Sequence, residues 1–74
     1  MTELDWIDLE SSTVANAAYD PDTEKIYVRF KDGGTYEYDQ CPPHVWDEFI
    51  APGQSAGKYL NETLKHKPYQ RLDG

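Results

Sequence analysis

The feature that most constrains this chain is the run KIYVRFKDGGTYEYD, residues 25–39. Ile26, Val28 and Phe30 alternate with Lys25, Tyr27, Arg29 and Lys31, the period of a strand with one buried face. Tyr36 and Tyr38 alternate in the same way with Thr35, Glu37 and Asp39. The glycine pair between the two runs signals a tight hairpin turn. Parity then limits the loop. A two-residue loop sets Glu37 opposite Val28, which brings a carboxylate to the buried face. A three-residue loop, Asp32-Gly33-Gly34, pairs Phe30 with Tyr36 and Val28 with Tyr38, and burial selects it. Gly34 supplies the left-handed residue that such a loop needs.

The flanks extend this hairpin. TVANAAY, residues 13–19, reads as a preceding strand whose small residues imply close packing, and DPDTE, residues 20–24, reads as the turn between. Downstream the period changes. Pro42 and Pro43 suit a helix start, and Val45, Trp46, Phe49 and Ile50 share a helical face. Trp46 and Phe49 are the expected anchors, Asp47 and Glu48 the acids of the early turns, and Pro52-Gly53 the stop. A second helix starts near Ser55, turns Tyr59, Leu60, Thr63 and Leu64 inward, and ends at Pro68. Tyr69 and Leu72 read as a tail folded back on the core. The expected fold is α+β: a three-stranded antiparallel meander followed by two short C-terminal helices packed on one face of the sheet.

Seventy-four residues make one domain, 1–74, with 11–72 as the domain proper and 1–10 as an N-terminal extension or extra strand. The only cysteine is Cys41, so no internal disulfide forms. That points to a reducing cytoplasm. No apolar run is long enough to span a membrane, and the acidic N-terminus is not a secretory signal. The net charge is −7. Residues 1–54 carry twelve acids against three bases, −9, and residues 55–74 carry four bases against two acids, +2. The body repels polyanions, and only the C-terminal segment attracts an anion.

Several ordered features occur together. They are the pair Ser11-Ser12, the strand end Tyr19-Asp20, the Gly-Gly turn into Tyr36-x-Tyr38, the prolines before the first helix, Ser55-x-Gly57-Lys58, Asn61 and Tyr69. In this set the chain resembles the KTSC family over about residues 11–72. That family is named for a domain at the C-terminus of some lysyl-tRNA synthetases, and it also occurs as free-standing bacterial and phage proteins. The resemblance implies no catalytic residues. The synthetase context implies RNA as a partner.

Three constellations bear on chemistry. Ser55, Gly57 and Lys58 stand at a helix start, where free backbone N–H groups favour an anion. Lys65, Lys67 and Arg71 add charge in the same part of the chain. The competing reading is a helix cap at Ser55 and a packing position at Gly57. Phe30, Tyr36 and Tyr38 form an aromatic row that either stacks bases or fills the core, and the covering helices favour core. The opposite face offers Tyr27 and Arg29 as further contacts. Cys41 and His44 stand three apart but lack the second ligand pair of a metal site and any hydrolase signature. The sequence therefore reads as a non-catalytic binding module with no metal or cofactor. It takes RNA or another anion through the second helix start and the basic segment. The alternative is a protein-interaction module or phage accessory protein, whose acidic surface meets a basic partner or mimics nucleic acid.

Overall fold

The computed structural model describes residues 4–9, 11–51, 53 and 55–72. Five strands form one antiparallel sheet in sequence order: β1 (Ile7–Asp8), β2 (Val14–Asp20), β3 (Lys25–Phe30), β4 (Thr35–Tyr38) and β5 (Tyr69–Arg71). Two helices, α1 (Pro43–Phe49) and α2 (Ala56–Glu62), and a 3₁₀ turn at Leu64–His66 lie between β4 and β5. The expected meander is the centre of this sheet. Its two edges are additions: β1 pairs Ile7 with Ala17, and β5 pairs Tyr69 with Tyr38. The expected folded-back tail is thus a strand, and its side chains stay in solvent, Tyr69 at 62% and Leu72 at 47% exposure.

The hairpin keeps the expected parity and shifts its register by two. Val28 pairs with Tyr36 and Ile26 with Tyr38, not Phe30 with Tyr36 and Val28 with Tyr38. The loop is Lys31-Asp32-Gly33, closed by the Phe30 N–H donating to the Gly34 carbonyl at 2.8 Å. Asp32 Oδ1 accepts the Gly34 N–H at 3.2 Å, and Gly33, not Gly34, takes the left-handed conformation at φ +106°. The loop still has an odd number of residues, so every side chain keeps its face. Phe30 and Tyr36 become diagonal neighbours and still meet edge to face, 5.4 Å apart.

The core lies between this face and the helices. Ala17, Ile26 and Val28 of the sheet pack with Val45, Phe49, Tyr59, Leu60 and Leu64. Phe49 is 1% exposed and meets the rings of Trp46 and Tyr59 about 6 Å away. Burying such a side chain contributes roughly 1.5–3 kcal/mol. Trp46 is only half-buried and stacks on Tyr19 at 5.6 Å, so Phe49 is the principal anchor and Trp46 a flanking one. Ala18, fully buried, lies on the other face opposite Tyr27.

Pro42 is the N-cap of α1, and Pro43 fills the first turn, where a missing N–H costs nothing. No acid stands in that turn. Asp47 and Glu48 fall in the second half of a helix shorter than expected, and Glu48 accepts the Tyr59 hydroxyl at 2.8 Å instead. The helix closes at Ile50. Of the expected stop, Pro52 lies outside the described residues, and Gly53 is left-handed at φ +82°. α2 also ends early, at Glu62. The chain then tightens into the 3₁₀ turn, and Lys67 is extended, as a residue before proline prefers.

Candidate functional site

The geometry separates the expected site residues into four places. Ser55 caps α2: its Oγ accepts the Lys58 N–H at 3.4 Å. Gly57 and Lys58 lie in the first turn, as expected. A Cβ at Gly57 would meet Thr13 Oγ1 at 3.4 Å, an ordinary contact, and so the helix approaches the loop before β2 closely. Ser11 braces that loop by accepting the Thr13 and Val14 N–H groups, both at 3.1 Å. Lys58 extends along the helix toward Glu62, 3.9 Å away, rather than over the helix start.

Lys65 and Arg71 are brought together elsewhere. A groove of about 560 Å³ opens between the hairpin end of the sheet and the 3₁₀ turn. Lys65 stands on its rim from the turn, and Arg71 reaches it from β5. Its floor is an aromatic row built by strand alternation. Tyr36 and Tyr38 of β4 point to the helix-covered face, and β5 pairing sets Arg71 beside Tyr36 and Tyr69 beside Tyr38. Tyr69 lies 6.1 Å from Tyr36 and 5.8 Å from Tyr38, with both ring pairs tilted. The Arg71 guanidinium sits over Tyr36, 5.8 Å from its centroid. Tyr38 is 5% exposed, and burial, then its two tyrosine neighbours, pushes its hydroxyl up to about 12. The row thus runs from core at Tyr38 to open surface at Tyr69.

Lys67 does not join the groove lining. Its charge acts on Cys41, offsetting part of the rise that burial imposes on that thiol. Cys41 is fully buried, its backbone N–H bonded to the Glu24 carbonyl at 2.8 Å, whereas His44 is exposed. The two do not form a chemical pair. Tyr27 and Arg29 lie on the opposite face, where the Arg29 guanidinium covers the Trp6 ring at 4.0 Å. Burial, then Glu37, raises Tyr27.

Sequence reasoning missed Tyr69 as a lining residue, and with it the groove. The signal was present: Tyr69-x-Arg71 repeats the alternation of Tyr36-x-Tyr38, but three residues are too short a run to mark a strand.

The profile of the KTSC domain matches residues 10–69. The chain belongs to the KTSC domain family. A protein of Tsukamurella paurometabola is 39% identical over 57 residues, covering 77% of this chain and 84% of its own length. An uncharacterised protein of Stutzerimonas stutzeri is 33% identical over 67 residues, covering 88% of this chain and 93% of its own. The crystal structure of a KTSC domain protein from Yersinia pestis superposes with a TM-score of 0.87 at 22% identity, over 95% of this chain and 99% of that one. This last likeness supports the fold. Among the described residues no helix is long and apolar enough to cross a membrane.

Proposed function

We propose that this KTSC chain is a non-catalytic binding module that holds an anionic group, RNA phosphate foremost, on Lys65 and Arg71. The observation that carries the reading is the convergence of these two cations on one aromatic groove, in a chain whose remainder is strongly acidic. Guanidinium and ammonium groups bind phosphate oxygens by charge-assisted hydrogen bonds. The start of α2 is the weaker seat, because Ser55 is engaged as a cap and Lys58 runs toward Glu62. The test is a titration of phosphate and of short RNA at low ionic strength, following backbone amide resonances. Saturable shifts at residues 34–36, 65 and 69–71, lost in Lys65→Ala, support the groove. Shifts confined to residues 55–59 return the site to the helix start.

A second reading, a basic protein partner, has its own observation. The stacked pair Tyr19–Trp46 stands half-buried at the sheet end away from the hairpin loop. Glu24, Asp20 and Asp47 are close enough for their charges to raise the Tyr19 hydroxyl further after burial has done so. An aromatic face rimmed by carboxylates suits a lysine or arginine side chain. Trp46 fluorescence titrated with an oligo-arginine peptide tests it, and an unchanged spectrum at saturating peptide rejects it.

A further inference from the structure

The groove offers more than charge. Resting on the anion reading above, we infer that it is a seat for a single nucleotide unit, the base against Tyr69 and one phosphate between Lys65 and Arg71.

The lining is ordered by chemistry. At one side stands the aromatic row, and its outermost ring, Tyr69, keeps 62% of its surface open. A ring held by its neighbours and left bare is a platform on which any base stacks, since every base has a π-face. Beside it come the two cations, with Arg71 held next to Tyr36, so the guanidinium stays at the edge of the aromatic floor. In the proposed seat, a phosphate attached to the stacked base through a sugar lies between Lys65 and Arg71. Thr13 and Asp32 complete the lining, the Asp32 carboxylate standing with the Arg71 guanidinium beside Gly34. Asp32 Oδ1 already accepts the Gly34 N–H, which fixes the carboxylate in place. A carboxylate accepts hydrogen bonds from ribose hydroxyls and repels a second phosphate. The lining therefore matches base, ribose and one phosphate, and it resists a continuing phosphate chain on the Asp32 side.

Size and field agree. About 560 Å³ falls within the range of small-molecule sites, roughly 300–1,000 Å³. The chain's net charge of −7 disfavours a long polyanion. One ligand chemistry here has two sources: a free nucleotide, or the terminal nucleotide of an RNA strand.

Calorimetric and amide-shift titrations of the full chain with adenosine monophosphate, ribose 5-phosphate, inorganic phosphate and octaadenylate at low salt test the inference. Adenosine monophosphate is expected to bind about tenfold or more tightly than ribose 5-phosphate, the difference being the stacked base. Tyr69→Ala should abolish that difference, and Tyr69→Phe should keep it; the Phe variant separates lost stacking from lost folding. Lys65→Ala should weaken all the phosphates together. Octaadenylate that binds no tighter per nucleotide than the monophosphate identifies the free nucleotide as the source, and tighter binding identifies the strand end. Equal affinity for adenosine monophosphate and ribose 5-phosphate overturns the nucleotide seat and leaves the anion site standing. An absence of binding by every phosphate overturns both.

Discussion

Gly33 and Gly34 are adjacent and alike in chemistry, yet only Gly33 is left-handed. The structure separates them through Asp32, whose carboxylate bonds two residues on and ends the loop at Gly33. Gly33→Ala should therefore cost about 1–2 kcal/mol, the penalty of an L-residue in that region, although nothing crowds its Cβ. Urea unfolding of the variant measures it. Ser55→Ala should cost about 0.5–1 kcal/mol, the low end for a lost cap, because its hydrogen bond is long and exposed. The same unfolding assay reads it. Tyr59 yields a pH prediction. Burial first, and the Glu48 carboxylate it bonds second, pushes its hydroxyl up to about 12. In the unfolded chain the same group titrates at 10.0. Above that value the unfolded state has released a proton that the folded state still holds, so folding is disfavoured. Stability should be intact below pH 10 and fall as pH rises toward 12, with Tyr38 adding to the loss. Urea midpoints at pH 9 and 11 check the sign, and Tyr59→Phe should show the shallower fall.

At the level of elements, the central hairpin, the strand before it and both helices could be read from residue patterns, because each buries one periodic face. What escaped, the strand at Tyr69–Arg71 and the choice between extension and extra strand for residues 1–10, had no period to show. β1 has two residues and β5 three, and both exist because β2 and β4 offer unpaired edges, a tertiary cause that no local window contains. The groove escaped with β5, since Tyr69 and Arg71, two of its six aromatic and cationic lining residues, arrive on that strand. The register slipped by two because either glycine could end the loop, whereas parity, which the buried face enforces, held. Trp46 was misjudged for a related reason. Its helical position faces inward, but the seven residues of α1 place it at the margin of the sheet, over Tyr19. The two anchors should therefore differ. Phe49→Ala should cost about 3–5 kcal/mol and unfold so small a domain. Trp46→Ala should cost about half as much and leave a folded protein with a lowered melting temperature. Equal losses in thermal melts followed by circular dichroism would contradict the packing described for Trp46.

Charge acts on the molecule as a whole, and its two parts respond to salt with opposite sign. The acidic body, −9 over residues 1–54, repels itself in the compact state. Added salt screens that repulsion over the ~10 Å Debye length reached at 0.1 M, so the melting temperature should rise between low salt and a few tenths molar. The exposed pair Lys58–Glu62 weakens under the same screening but contributes only roughly 0–1 kcal/mol, and Lys25–Glu37, at 3.6 Å and partly buried, is screened less, so neither reverses the trend. Anion binding at the groove goes the other way. Each phosphate neutralised on a single strand contributes about −0.7 to the slope of log affinity against log salt. A seat made by Lys65 and Arg71 neutralises one phosphate, or at most two, so the slope for a short RNA should lie between about −0.7 and −1.4 whatever the strand length. A slope that steepens as the oligonucleotide lengthens would mean that the strand continues past the groove along the acidic body, where no matching row of cations exists among the described residues. Measuring melting temperature and RNA affinity over one salt series therefore examines the body and the groove together: stability should climb while affinity falls gently.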